Sequence, residues 1–287
     1  MHSLSLRPRL CLQEKQERLV RPGTGETIWL MSGMLTVRLC QFAVQDGASE
    51  SGRAANFSHI LETLSRSTED LVIFPEACTS GFPYRRLADV ARANQDFIHQ
   101  IQYPGLCVLP LLLAEGARFV NRTVVLSAGR PIAAYTKIHL IGLLGEDRFL
   151  IPGSDVTRFT CGDFTAGLAT CYDLRFPELF RSLMQLGSSL FIVPAMWPVE
   201  RAGHLHALAR ARAIENQAYV IVVNAAGKTG SLDLCGQSAV FDPQGNTMVQ
   251  AAESPIELTA ALNLEPVSSW RAAFPVLKDA KLLKKTS

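Results

Sequence analysis

Three side chains suited to acyl transfer each close an apolar segment. Glu76 ends Leu-Val-Ile-Phe-Pro-Glu, Lys137 ends Ile-Ala-Ala-Tyr-Thr-Lys, and Cys171 ends Gly-Leu-Ala-Thr-Cys. In proteins built of sheets and helices the ligand crevice lies beyond the strand ends, where loops shape it. A thiol at a strand-to-helix turn would be open to a substrate, and the positive end of the helix would favour thiolate. A carboxylate beside it could remove its proton. An ammonium could stabilise both the thiolate and the oxyanion of a tetrahedral intermediate. Each residue alone is weak evidence, because a strand-end cysteine is more often a small buried hydrophobe and a lone Glu or Lys a surface charge.

Other reactive residues have duller readings. His139, two residues past Lys137, could be chosen as the base of a cysteine protease, but a hydrogen-bonded structural histidine is the commoner outcome. His204 and His206 could suggest a metal, yet two-residue spacing on a helix puts them on different sides. Asp173 and Glu178 near the cysteine read as anions at a helix start.

The elements that must hold these residues follow from periodicity. Leu35, Val37 and Leu39 alternate as a half-buried strand does. Phe57, Ile60, Leu61 and Leu64 share one face of a helix. Residues 71–74 form a short apolar run leading into Glu76. Residues 106–140 read as three strands with turns at Gly116 and at Gly129-Arg130-Pro131, hence an antiparallel set. Residues 164–170 predict a strand that ends at Cys171. Pro177 and Glu178 start a helix with Phe180, Leu183 and Met184 on its apolar face and Gly187 as its stop. A buried strand at 190–193 follows. Leu205, Leu208, Ala211 and Ile214 mark a helix, followed by a β-prone run at 219–223. Asp242-Pro243-Gln244-Gly245 signals a late hairpin. The pattern is α/β or α+β in one piece.

Composition bounds the rest. Of 287 residues, 48 % are hydrophobic and 19 % charged, enough apolar material for a large core. The formal charge is +2, without a dense basic stripe, so nothing points to nucleic acid. The basic cluster at 281–285 reads as a solvated tail. Seven cysteines stand at 11, 40, 78, 107, 161, 171 and 235 with no C-x-x-C pair. That argues against a disulfide framework or zinc site and favours a reducing, cytoplasmic setting. The longest apolar run, 106–114, is too short to cross a membrane and contains Pro110. Residues 1–33 lack the apolar core of a secretory signal, and their acidic residues count against a transit peptide. They are expected to be a poorly ordered extension, with the folded unit (34–287) beginning near Met34.

Whole words around the three residues resemble a known family. Phe-Pro-Glu-Ala at 74–77, Tyr-Thr-Lys-Ile-His-Leu at 135–140 and Cys-Tyr-Asp-Leu-Arg-Phe-Pro-Glu-Leu at 171–179 resemble, in order, the signature segments of the nitrilase superfamily of carbon–nitrogen hydrolases. Gly145-Glu146-Asp147-Arg148 with Pro152-Gly153 resembles the loop holding that family's second glutamate. Met196-Trp197-Pro198, Arg201, residues 209–216 and residues 274–278 look like its bacterial omega-amidase branch. The resemblance covers residues 34–282, and the 171–179 block is its most specific part. Two positions depart from the pattern: Met196 replaces an Asn, and Leu205 an aromatic.

The resemblance implies a four-layer α-β-β-α sandwich in a single domain, a homodimer, and no metal or organic cofactor. It implies Cys171 as nucleophile and Glu76 as general base and acid. Lys137, helped by the Tyr172 backbone N–H, would stabilise the oxyanion, and Glu146 would tune the pair. The substrate would be a small amide. If that amide carries a free carboxylate, Arg175 or Arg201 could bind it bidentately, and Trp197 could wall the pocket. Each of these three has a structural alternative, as an ion-pair partner or a core side chain. Other activities remain open: a nitrilase, an N-carbamoyl amine hydrolase, an amidase of deaminated-glutathione type, or a non-catalytic binding protein.

Overall fold

The computed structural model describes residues 16–20, 27–31 and 33–281. Two short strands, β1 (Gln16–Val20) and β2 (Thr27–Met31), pair antiparallel ahead of the main fold. The rest of the expected extension up to residue 32 lies outside the described residues, as does the tail beyond Lys281. The first half of the main fold runs β3 (Met34–Gln41), α1 (Glu50–Arg66), β4 (Leu71–Ile73), α2 (Leu87–Ile98), β5 (Leu106–Glu115), β6 (Arg118–Ser127) and β7 (Arg130–Thr136). The second half begins with β8 (Arg158–Cys161), β9 (Phe164–Leu168), α3 (Pro177–Gln185), β10 (Leu190–Ala195), α4 (Ala202–Asn216) and β11 (Tyr219–Asn224). It continues with β12 (Ala226–Thr229), β13 (Leu232–Cys235), β14 (Ala239–Phe241), β15 (Thr247–Gln250), β16 (Ile256–Asn263) and α5 (Glu265–Ala273).

Two six-stranded sheets form the centre, ordered β16-β3-β4-β5-β6-β7 and β15-β14-β11-β10-β9-β8. The first is divided by its own alternation. Leu71, Ile73, Val108 and Val125 face the second sheet, while Val72, Cys107, Leu109, Val124 and Leu126 pack against Ile60 and Leu64 of α1 and Val90 and Phe97 of α2. In the second sheet β10 and β11 pair in parallel and are buried along their whole length, as strands covered on both faces must be. Helices α3 and α4 close its outer side, with Leu183, Phe180, Ala209 and Ala213 in the same core as Phe191 and Val222. The layers are therefore helix, sheet, sheet, helix, as the family resemblance implied.

Local signals explain the boundaries. Ser49 caps α1 by accepting from the Gly52 N–H at 3.0 Å. Pro177 opens α3, and Gly187 ends that unit with φ +92°. The three strands expected in 106–140 are β5, β6 and β7, antiparallel as read. The turn at Asp242–Gly245 joins β14 to β15, with Asp242 accepting from the Gln244 and Asn246 N–H groups.

The helix marked by Leu205, Leu208, Ala211 and Ile214 is α4, but these residues do not share its buried face. Leu205 is buried, but Ile214 is half exposed, and the buried face carries Ala209, Arg212, Ala213 and Asn216. A run of four residues spaced by three drifts steadily around a helix, whereas i, i+4, i+7, i+8 keeps one face. Arg212 fits that face because its guanidinium donates twice to the Leu174 carbonyl, at 2.8 and 3.1 Å.

Candidate active site

Glu76, Lys137 and Cys171 come from three strand ends on two sheets that meet at one edge of the sandwich. β4 stops at Ile73, and Phe74-Pro75 carries the chain on to Glu76, whose N–H reaches the Ala195 carbonyl at the end of β10. Lys137 follows the last residue of β7, and its N–H donates to the Asn121 carbonyl at 2.9 Å. Gly153 donates to the Lys137 carbonyl. A side chain there would lie 2.3 Å from the Thr136 carbonyl oxygen, so the glycine permits this close approach.

Cys171 departs from the expected strand end. β9 stops at Leu168, Ala169 and Thr170 stay extended, and Cys171 opens a 3₁₀ turn, Cys171–Arg175, with φ +50°. A non-glycine residue in that region costs on the order of 1–3 kcal/mol and persists only where its surroundings fix it. The surroundings here are specific. Thr170 and Asp173 form a capping box, and Asp173 also accepts from the Tyr135 hydroxyl at 2.7 Å and from His139. Asp173 thus has the helix-start role read from the sequence, and His139 is the structural histidine. Glu178, exposed in the first turn of α3, has the same kind of position.

The four polar groups converge in a nearly dry centre. Glu76, Lys137, Glu146 and Cys171 are all buried. The Lys137 ammonium donates to Glu76 Oε1 at 3.0 Å and to both Glu146 oxygens at 2.9 Å. Glu146 sits on the 3₁₀ turn Glu146–Arg148 after Gly145 (φ +71°), and its carboxylate also takes the Ile141 N–H at 2.8 Å. Asn121 Nδ2 donates to the same Glu76 oxygen, at 2.8 Å. Glu76 Oε2 makes no hydrogen bond of ordinary length, yet the carboxylate and the Cys171 thiol lie close enough to perturb each other.

Electrostatics set the resting protonation. Burial pushes the Glu76 carboxyl above its ordinary range, opposed by Lys137 and reinforced by Glu146. Burial opposes the charge on Lys137, but Glu76, Cys171 and Glu146 outweigh it and hold the ammonium charged. The Cys171 thiol is driven well up by burial and by Glu76, against the pull of Lys137 and the Met196 backbone. The expected helix-favoured thiolate is therefore corrected: a five-residue turn contributes little against desolvation and a facing carboxylate, and the resting sulfur keeps its proton.

A cavity of about 150 Å³ opens at the sulfur. Tyr172, Arg175, Trp197 and Arg201 line it, together with Ile141, Leu144, Met196 and Glu200. The Arg175 guanidinium lies 4.6 Å over the Trp197 ring and 5.8 Å from the Tyr172 ring. Among the described residues neither Arg175 nor Arg201 pairs with a carboxylate. Their ion-pair alternative is thus not what the structure contains. Trp197 is buried and packs in the main core, with its backbone bound on both sides by Asn224. His206 bonds the Gln237 carbonyl while His204 lies 3.5 Å from Arg175, and no cluster suited to a metal occurs among the described residues. A second cavity of about 550 Å³, lined by Phe82, Tyr84, Arg85 and Phe149, shares Leu144 and Leu232 with the first.

Sequence reading missed Asn121, Ile141, Leu144 and Leu232. Asn121 had a signal in the hairpin register, since Arg122 pairs with Thr136 and the next step brings Asn121 beside Lys137. A bulge between Val125 and Leu126 shifts that register by one, so counting from the turn would have put the wrong face forward.

Known proteins resemble this chain over most of its length. The chain is 40 % identical over 234 residues to a 2-oxoglutaramate amidase of Paenarthrobacter nicotinovorans, covering 74 % of this chain and 78 % of that one. It is 31 % identical over 234 residues to the omega-amidase YafV of Escherichia coli K12, covering 79 % and 90 %. Among solved structures it superposes on XC1258 of Xanthomonas campestris, a CN-hydrolase superfamily protein with an arsenic adduct in its active site. The TM-score is 0.80 at 26 % identity, over 88 % of this chain and 98 % of that one. Saccharomyces cerevisiae Nit3, at 24 % identity and TM-score 0.76, covers 87 % and 97 % and shares the fold. With residues 36–272 matching the family pattern for carbon-nitrogen hydrolases, the chain belongs to that family.

Proposed function

We propose that this protein hydrolyses the terminal amide of a short dicarboxylic acid monoamide, giving the diacid and ammonia, with Cys171 as nucleophile. The observation that carries the reading is the buried meeting of Glu76, Lys137 and Glu146, with the Cys171 thiol close enough to Glu76 to be perturbed by it and itself lining a cavity.

In this mechanism Glu76 Oε2 takes the proton from Cys171 Sγ as the sulfur attacks the amide carbon. The developing oxyanion is met by the Lys137 ammonium and the Tyr172 N–H, in the first turn of a helix where backbone donors lack partners. Glu146 keeps Lys137 charged and aimed. Collapse breaks the C–N bond, and the nitrogen leaves as ammonia with the proton from Glu76. Glu76 then deprotonates a water that attacks the thioester. The second collapse releases the acid and returns the proton to sulfur. The residues require no metal or organic cofactor for any of these steps.

The substrate class follows from size and charge. A cavity of about 150 Å³ suits a short acyl chain. Arg175 and Arg201, without carboxylate partners, can take a substrate carboxylate against the single opposing charge of Glu200, while Trp197 and Tyr172 cover the chain. The larger neighbouring cavity favours a second reading, in which a longer amide passes Leu144 and Leu232. A relative in Escherichia coli O157:H7, 35 % identical over 167 residues, is a deaminated glutathione amidase. Ammonia release from a panel of short, long and neutral amides, for wild type and Cys171→Ala, tests both readings. Equal release by the two proteins removes the nucleophile.

The folded unit is read as beginning near Met34, where β3 starts and shortly before the family match. Intact mass of the natively expressed protein identifies the starting methionine. A homodimer is proposed from the family resemblance, tested by light scattering on a sizing column. No described helix is long and apolar enough to cross a membrane, and a cytoplasmic location is proposed from cysteine usage.

A further inference from the structure

Glu76 has two carboxylate oxygens in different surroundings, and the difference traces to a residue outside the four polar groups of the centre. Oε1 accepts from Lys137 Nζ at 3.0 Å and from Asn121 Nδ2 at 2.8 Å, while Oε2 is buried with no donor at ordinary hydrogen-bond length among the described residues. We propose that Asn121 is a positioning residue that selects Oε2 of Glu76 as the proton acceptor for Cys171. The proposal rests on the hydrolase reading above and adds the origin of its base.

Lys137 cannot make this selection alone. Its ammonium also donates to both oxygens of Glu146, so it is a charge shared among three acceptors. The terminal torsion of a glutamate is broad and two-fold, so the oxygens exchange easily unless something fixes the plane. Asn121 supplies that fixed point. It is buried on β6, its carbonyl takes the Lys137 N–H, and its amide is thereby built into the hairpin that presents Lys137. The amide orientation is also determined. With Glu76 ionised, as a proton acceptor must be, the opposite flip would set Oδ1 against Glu76 Oε1, two acceptors at 2.8 Å, so Nδ2 faces the carboxylate. Oδ1 has no partner, so no other hydrogen bond competes for the side chain. With Oε1 holding two donors, the free oxygen is the more basic one in a site where unmatched acceptors are costly.

The charged and titratable groups facing Glu76 are Lys137 from β7, Glu146 from its 3₁₀ turn, Cys171 from the turn after β9, and Tyr84 from the turn Tyr84–Arg86. Asn121 is a neutral donor among them, so its replacement by an apolar residue of equal shape changes the hydrogen bond and no charge. Asn121→Leu should move the acid limb of kcat/KM for amide hydrolysis up by about one pH unit. Asn121→Asp, which sets a second carboxylate against the first, should move it further. In both variants kcat should fall at least about tenfold while KM stays nearly constant, because Asn121 lines neither cavity.

Acid limbs that superimpose on the wild type in folded variants would overturn the proposal, since packing alone would then account for Asn121. Should neither variant fold, Asn121→Ser, with a hydroxyl too short to reach Oε1, must show the same upward shift, and an unmoved limb overturns the proposal equally. Failure of the parent reading is separable. A wild-type enzyme that never acylates Cys171 defeats the mechanism, whereas one that acylates while the variant limbs stay fixed defeats only the role of Asn121.

Discussion

One oxygen of Asp173 accepts both the ring Nδ1 and the backbone N–H of His139, at 2.7 and 3.0 Å. His139 lies two residues past Lys137, and Asp173 two past Cys171. The other Asp173 oxygen takes the Tyr135 hydroxyl and the Thr170 N–H, so residues on both sides of Lys137 are tied to residues on both sides of Cys171. The segments that carry the Lys137 amine and the Cys171 sulfur are therefore tied together by a carboxylate that hydrogen-bonds to neither.

Asp173→Asn keeps the shape but replaces one acceptor oxygen with a donor. It should lower stability by about 2–4 kcal/mol, since it leaves buried donors unmatched. Denaturant unfolding measures that loss. Among the molecules that remain folded, kcat/KM should fall at least about a hundredfold, because small misplacement of reacting groups is costly. Unchanged turnover in the folded fraction would mean that the turn at Cys171 holds itself.

The raised carboxyl of Glu76 has a definite pH signature. The base form is lost as pH falls through that raised value, so kcat/KM should begin to decline at a higher pH than an exposed glutamate would allow. Glu76→Gln should lose the activity and its acid limb together. A pH–rate profile across the acid range reads both effects.

Because burial and Glu76 hold the resting sulfur as a thiol, iodoacetamide should alkylate Cys171 more slowly than a free cysteine at neutral pH. The rate should rise with pH, and a substrate amide should protect the residue. Mass mapping of the labelled peptides separates Cys171 from the other cysteines.

Arg175 and Arg201 are distinguished by substrate charge. Replacing the residue that binds the carboxylate with Met should raise KM about 10–100-fold for a dicarboxylic acid monoamide and little for a neutral amide of the same length. Arg175 also stacks on Trp197, so its loss should affect neutral amides slightly more than the loss of Arg201. Equal effects on charged and neutral amides in both variants would remove the carboxylate from the substrate assignment.

Away from the site, Glu257 on β16 accepts from Arg38 at 2.5 Å and also pairs with Arg66. Burial alone would raise its carboxyl, but the hydrogen bond from Arg38 and the charge of Arg66 bring it below the ordinary range. Its contribution is present above the unfolded value and lost as pH falls through the lower folded one. Glu257→Gln should cost about 1 kcal/mol at neutral pH, a figure kept small by the solvent that still reaches the pair. The difference from wild type should vanish in acid, as urea midpoints at the two pH values will show.

Many strands were legible because the alternation at residues 35–39, the apolar run at 71–74 and the three-strand set at 106–140 each report one local choice, while the four layers came from the family resemblance. Glu76, Lys137 and Cys171 stood out because each lies at or shortly past the end of such an element inside a longer familiar word, and the structure brings them to one buried centre. What escaped depended on non-local geometry. The bulge at Val125–Leu126 hid Asn121, and the third-residue spacing in α4 left its buried face unread. The protonation of Cys171 was misread because burial and the facing Glu76 arise only when two sheets close over the sulfur. Leu144 and Leu232, far apart in the chain, bound the cavity at Cys171 together and carry no motif of their own.

The central claim is tested most directly by acid-quenching the wild-type enzyme during turnover of a short ω-amide and mapping its peptides by mass. The account predicts one added acyl group, replacing a hydrogen, on the peptide that contains Cys171, decaying as substrate is exhausted. Sustained ammonia release with the Cys171 peptide unmodified at every time point, together with turnover by Cys171→Ala, would contradict it.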